Sequence, residues 1–214
     1  MRARRSEPRA APGDAAMTIA PGAAESLTLS RPDPFARVRE AAHAHAREHQ
    51  CDADLVSAAR AREMAVLVRA TRASYVLELG TGLGYGALHM VDGFGRTGRL
   101  DTIESDPHHA RLAEDNFRTF GHAERVRVYT GRDSAVLSGL NGPYDMVVLD
   151  SDPAGYHAMF EDTTRLLRTG GLLLANTTGD WLSMEGFLKQ LAIDDRFLGA
   201  FGAHAHHALA VRLR

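Results

Sequence analysis

Val76-Leu77-Glu78-Leu79-Gly80-Thr81-Gly82-Leu83-Gly84-Tyr85-Gly86 decides the fold. A short apolar run ends near an acid and then meets glycine at every second position. "YVLELG" predicts a buried strand and "ALHMVDGF" a helix, so the glycines form a strand-to-helix loop. Backbone N–H groups at such a loop point at whatever binds there.

Outward from this loop the alternation continues. "RLDTIES" predicts a second strand. "DPHHARLAEDNFRTFG" predicts a helix with Asp106 as N-cap, Pro107 in its first turn and Gly121 as its stop. "RVRVYTG", "YDMVVLD" and "LLLANT" predict further strands; a short helix follows the first of these. "AGYHAMFEDTTRLLRTGG" is expected as a helix ended by glycines, and "WLSMEGFLKQLAID" as the last helix. "RFLGAFGAH" and "HALAVRLR" suggest a closing antiparallel pair. The pattern predicts an α/β fold: a doubly wound, mostly parallel seven-stranded sheet with an antiparallel C-terminal hairpin and helices on both faces. Ligands in such sheets sit beyond the carboxyl ends of the strands, at the switch point.

Upstream, "PFARVREAAHAHAREHQ" and "ADLVSAARAREMAVLVRATR" predict two helices broken near Cys51-Asp52, a helical cover over about residues 34–72. Residues 1–30 are rich in Ala, Pro, Gly and Arg without apolar periodicity and read as a disordered arm, with Met17 a possible start. Residues 31–214 read as one domain.

The chain has 214 residues and a formal net charge of -2 from 25 basic and 27 acidic side chains. That balance argues against nucleic acid or an anionic membrane as partner. No apolar run nears the ~20 residues of a membrane span. Cys51 is the only cysteine, which excludes an intrachain disulfide and fits a reducing cytoplasm.

The loop spacing also bears on its ligand. A dinucleotide fingerprint is G-x-G-x-x-G, but Tyr85 stands three after Gly82. Glu78 would repel a pyrophosphate and suits a cationic amino-acid group. Glu104 closes the second strand, where an acid accepts hydrogen bonds from ribose hydroxyls. Ribose plus a cationic amino acid, without phosphates, describes S-adenosylmethionine. Packing alone would account for one or two of the glycines.

At these residues the sequence resembles a class I S-adenosylmethionine-dependent O-methyltransferase of the catechol and caffeoyl-CoA type. The likeness covers about residues 50–214 and rests on "VLELGTGLGYGAL", "LDTIESDPHHARLAEDNF", "YDMVVLDSDPAGYHAMFEDTTRLLRTGGLLLANTT" and the closing strands. It implies a Rossmann-like domain, a small-molecule acceptor such as a phenol or catechol, and a homodimer. It assigns the cofactor to Val56, Ser57, Glu78, Gly80, Thr81, Gly82, Gly84, Tyr85, Glu104, Ser105, Gly131, Arg132, Asp133 and Asp150. Family members often carry Ser where this chain has Gly86, so one cofactor hydrogen bond is missing or comes from Ser57.

The family's catalytic pattern is D-A-D-K-x-x-Y followed later by D-N, where the first Asp and the D-N pair bind a divalent ion, usually Mg²⁺. Here the residues are Asp150-Ser151-Asp152-Pro153-Ala154-Gly155-Tyr156 and Ala175-Asn176. Pro153 replaces the proton-accepting Lys and Ala175 replaces a metal-binding Asp. Asp150 and Asn176 remain as family metal positions, with Asp152 as a possible substitute. Three readings stand: methyl transfer to oxygen, with or without metal; metal-independent transfer to another nucleophile such as a carboxylate; and a cofactor-binding protein that has lost transfer.

Asp150, Asp152 and His157 are the catalytic candidates. His157, or one of His204, His206 and His207, is a candidate replacement base, beside the plainer reading of a polar turn. His45 and His49 share an i, i+4 spacing that suits one metal, but no third ligand follows at a diagnostic interval, so they read as a solvent face. Trp181 and Phe187 suit an acceptor pocket or burial against the sheet equally.

Overall fold

The computed structural model describes residues 32–49, 51, 56–178, 181–200 and 207–214. The arm expected over residues 1–30, with Met17, lies outside them.

Helices α1 (Ala36–His49) and α2 (Ala58–Thr71) precede the sheet. The alternation follows as β1 (Tyr75–Leu79), α3 (Tyr85–Gly93), β2 (Arg99–Glu104), α4 (Pro107–Thr119), β3 (Val126–Thr130), α5 (Asp133–Leu137) and β4 (Tyr144–Leu149). A 3₁₀ turn (Pro153–Gly155), α6 (Phe160–Leu166), β5 (Leu167–Asn176), α7 (Trp181–Ile193), β6 (Phe197–Ala200) and β7 (His207–Arg212) complete it. The sheet order is β3-β2-β1-β4-β5-β7-β6. β1 to β5 run parallel, while β7 pairs antiparallel with both β5 and β6. The chain reverses its direction of travel between β1 and β4, so the switch point lies beside the glycine loop.

Strand alternation divides the buried residues between two cores. Val76, Met146, Val148 and Leu174 point to one, which holds residues of α1 to α4. Leu77, Leu79, Val147, Leu149 and Leu173 point to the other, against α5, α6 and α7. Each buried side chain of this size contributes about 1.5–3 kcal/mol, and the central strands are buried on both faces as parallel strands require.

The amino ends of the strands are tied by two acids. Asp145 accepts from the backbone N–H groups of Ser74 and Tyr75 (2.8 and 2.9 Å), from the Ser74 hydroxyl (3.0 Å) and from Arg168 Nε (2.6 Å). Burial would raise its pKa; these bonds overcome burial and hold it low. Asp101 accepts from Tyr75 and Tyr144 Oη, both at 2.7 Å.

One element differs from expectation. The helix expected through Gly171 ends at Leu166, and residues 167–171 already belong to β5. Leu167 pairs with Tyr144 and Arg168 reaches Asp145, so sheet contacts win over the helical pattern of "RLLRTGG". The histidine rings of α1 are also not a bare solvent face. His45 lies 4.2 Å from His49 and 4.9 Å from His109 between ring centroids.

Asp33 straps the cover to α3. Its carboxylate accepts from Tyr85 Oη (2.6 Å), lies 3.2 Å from His89 Nε2 and caps the backbone N–H of Phe35 (2.9 Å). Burial pushes its pKa up, but Tyr85, Phe35, His89 and Arg39 together hold it below the ordinary value.

Candidate active site

A cleft of about 680 Å³ opens at the carboxyl ends of β1, β2 and β4. That is ample for a nucleoside-sized ligand. Among the sequence candidates, Val56, Glu78, Gly80, Thr81, Gly82, Tyr85, Glu104, Ser105, Asp133, Asp150, Asp152 and Asn176 line it. Its lining also includes Gly86, Asp106, Ser151 and Pro153, which the sequence marked for other reasons, and Leu83, Ile103, His109 and Thr178, which sequence reasoning did not single out. For His109 the available signal was its place five residues past Glu104, in the first turn of a helix.

Two acids face the cleft from neighbouring strands. Glu78 is 1% exposed; its Oε2 accepts from Thr102 Oγ1 at 2.6 Å, and Thr102 in turn meets Thr81 Oγ1 at 2.6 Å. Burial drives its pKa well above the ordinary glutamate value, Thr102 pulls it down in part, and the charges of Asp150 and Glu104 add to the rise. A carboxyl in this setting is favoured in its charged form only beside a cation. Glu104 is fixed differently: Oε2 accepts from Gly82 N–H (2.7 Å) and Oε1 from Asp106 N–H (2.9 Å). Oε1 also accepts from Ser105 Oγ at 3.5 Å, so of a carboxylate's roughly four lone-pair sites one, on Oε2, stays clear for a ligand hydroxyl.

The glycines have separate reasons. A Cβ on Gly80 would stand 2.4 Å from the backbone oxygen of Asp150, on Gly84 2.7 Å from the Phe117 ring, and on Gly86 3.1 Å from Glu78 Oε1. Only Gly82, at φ +51°, has nothing within 4 Å. Protein packing thus accounts for three of the four, not the one or two expected, and of the four Gly82 alone has open space where a Cβ would stand.

Several candidates fall outside the lining. Ser57 is exposed and caps α2 by accepting from Arg60 N–H at 3.2 Å. Gly84 caps α3 against Phe117. Gly131 spends its N–H on the Glu104 carbonyl (2.8 Å), and Arg132 is exposed at the start of α5. His157 is exposed with its ring against Gly186 of α7, turned to that helix rather than the cleft. Phe187 is fully buried against Tyr156 and Phe160, which makes it core. His207 opens β7, with Nε2 3.4 Å from Glu63. His204, His206 and the Trp181 side chain lie outside the described residues.

Asp133 and Asp150 complete the acidic lining. Burial raises the Asp133 pKa, the Ser151 hydroxyl partly offsets this, and the Glu104 charge adds to it. Asp150 Oδ1 accepts from Asn176 Nδ2 at 2.9 Å, while Asn176 Oδ1 accepts from Thr178 N–H and Oγ1 at 3.0 and 2.8 Å. Asn176 therefore spends both ends of its amide on the protein. Ala175, at the position of the family's second acid, is fully buried and offers no oxygen. Mg²⁺ demands near-octahedral oxygen ligation with carboxylates. This donor set does not fit it.

A doubly wound sheet, two cleft acids at adjacent strand ends and an open glycine together define a nucleoside-binding methyltransferase site. The chain belongs to the O-methyltransferase family, whose profile matches residues 33–185. A catechol O-methyltransferase of Niastella koreensis is 34% identical over 125 residues, 56% of this chain and 57% of that protein. Another from Mycobacterium tuberculosis is 34% identical over 122 residues, 56% of each. The chain thus spans a little over half the length of those two relatives. Among solved structures, the cofactor-bound Rv0187 from MTB has a TM-score of 0.78 at 25% identity, covering 91% of this chain and 98% of that one. The O-methyltransferase of Bacillus cereus in complex with SAH has a TM-score of 0.74 at 22% identity, covering 88% and 94%. The protein is an S-adenosylmethionine-dependent enzyme that methylates oxygen of a small molecule. No helix among the described residues is long and apolar enough to cross a membrane.

Proposed function

We propose that residues 31–214 work as one domain that methylates a phenolic oxygen, catechol-like in class, without a divalent ion. The observation that carries this reading is the pairing of buried Glu78 with Glu104 around Gly82, joined to a metal position where Ala175 stands and Asn176 is internally bonded. When bound, S-adenosylmethionine supplies an electrophilic methyl group on a sulfonium. Glu78 receives the ammonium end, Glu104 a ribose hydroxyl and Asp133 the adenine edge. Asp150 and Asp152 border the acceptor. Asp152, whose Oδ1 caps Ala154 N–H at 3.0 Å, would take the acceptor's hydroxyl proton through its other oxygen. The cleft residues would supply the rest of the rate by holding cofactor and acceptor side by side. The catechol names of the relatives support the acceptor class. The family resemblance supports a homodimer, and the lone Cys51 a cytoplasmic setting.

The test is S-adenosylhomocysteine calorimetry followed by turnover on a panel of catechols, phenols and carboxylates, in EDTA and in excess Mg²⁺. Expected are micromolar binding lost in Glu104→Ala, catechol turnover unchanged by EDTA, and a fall of about 10²-fold or more in kcat for Asp152→Asn. Turnover only with Mg²⁺ would overturn the metal-free reading. Carboxylate turnover alone would overturn the acceptor class.

A further inference from the structure

Outside the acceptor end of the cleft, a second group of side chains converges. His45 from α1, Cys51 just beyond α1 and His109 from the first turn of α4 place their ligand atoms within 4.8 Å of one another. His45 Nε2 and His109 Nε2 are only 3.0 Å apart. It is the only such trio of His, Cys, Asp or Glu side chains among the described residues. We propose that His45, Cys51 and His109 bind a thiophilic divalent cation of the Zn²⁺ class, which clamps the helical cover to the cofactor cleft.

Chemistry selects the ion. One thiolate and two imidazoles are soft to borderline ligands, which suit Zn²⁺ and not Mg²⁺. Around tetrahedral Zn²⁺, with bonds of about 2.0–2.3 Å, ligand atoms stand roughly 3.3–3.7 Å apart. The two nitrogens are slightly inside that spacing, and the sulfur needs a side-chain rotation to join them. Facing Nε2 atoms leave each ring's Nδ1 free to carry its proton. His109 Nδ1 faces Glu104 Oε1 at 3.9 Å, so the carboxylate stands behind the ring, short of a direct hydrogen bond, on the side where such groups orient metal-binding imidazoles. Water takes the fourth position, with the His49 and His108 rings 4.2 and 5.5 Å from His45 as a surrounding wall.

Binding would release the Cys51 proton to solvent and join two segments distant in sequence, the end of α1 and the start of α4. The link to the cofactor rests on reading Glu104 as the ribose acid; the metal site does not.

The test titrates chelator-stripped full-length protein with Co²⁺, then displaces it with Zn²⁺. Expected are a near-ultraviolet thiolate-to-cobalt band and tetrahedral visible bands saturating at one equivalent, both lost on Zn²⁺ addition. Cys51→Ser abolishes the thiolate band, His45→Ala and His109→Ala each weaken cobalt affinity at least tenfold, and Asp150→Asn leaves the bands unchanged. One equivalent of Zn²⁺ raises the Tm of the parent chain but not of Cys51→Ser. Far-ultraviolet circular dichroism checks that each variant folds; should His109→Ala not fold, Cys51→Ser and His45→Ala decide. A parent chain with no thiolate band, or a band that survives His45→Ala at full affinity, overturns the proposal. Because the readout needs no nucleoside, its failure is separable from failure of the cofactor assignment.

Discussion

Glu78 carries opposite signs for stability and for binding. A carboxyl whose folded pKa is raised loses stability as pH climbs from its ordinary 4.5 to the raised value, and the loss persists above it. Glu78→Gln removes that penalty, so the free variant is expected to melt no lower than the parent at neutral pH. The cationic ligand needs the charge, and an ionic hydrogen bond is worth about 1.5–3 kcal/mol, so its S-adenosylhomocysteine affinity falls about 10- to 100-fold. Parent affinity rises with pH through the raised pKa of the free enzyme and levels off above it; calorimetry across pH shows a flat profile in Glu78→Gln. A flat parent profile would remove Glu78 from the ammonium site. The glycines separate in the same way. Gly80→Ala drives a Cβ into the Asp150 backbone at φ +93° and is expected to cost about 2–3 kcal/mol by denaturant titration. Gly82→Ala costs about 1 kcal/mol for its left-handed backbone, but its methyl enters the cleft and reduces nucleoside affinity. Much of this site was legible: acids and glycines at strand ends announce a ligand by chemistry and spacing. What spacing does not carry is direction. Ser57 and His157 have suitable chemistry but face a helix cap and Gly186, and only packing sets that.

Among elements, α1 and the start of the described chain depend on Asp33. Its depressed pKa supplies stability that is present above the ordinary carboxylate value and lost as pH falls through the lower folded value. Asp33→Asn is therefore expected to lower stability at pH 7 and to approach the parent once the parent's Asp33 is protonated, which acid titration of Tm checks. Tyr85→Phe breaks the 2.6 Å bond and costs about 1–2 kcal/mol. The α6–β5 boundary shows why elements were legible in kind but not in extent. Leu166 and Leu167 continue a helical spacing, yet pairing of Leu167 with Tyr144 lies 23 residues away along the chain and outweighs it. His45 and His49 lacked a third ligand for the same reason: His109 stands on another element, 64 residues beyond His45.

At the scale of the whole molecule, the sheet has two unlike ends. Asp145 and Asp101, at the amino ends, give their oxygens to the protein's own donors. Asp145→Ala strands the N–H groups of Ser74 and Tyr75 and is expected to cost about 2 kcal/mol after allowance for partial exposure. The nucleoside dissociation constant of the folded variant should stay unchanged, since the cleft lies at the far ends of the strands; a large change would mean that the two ends are coupled. This polarity has a historical consequence. Substitutions on the rim that holds Asp152, Pro153 and Thr178 can alter what is methylated while the bonds of Asp145 and Asp101 continue to hold the strands together. Pro153 and Ala175, where the resemblance leads one to expect Lys and Asp, would be differences of this kind: one edge open to new chemistry above a foundation that need not move.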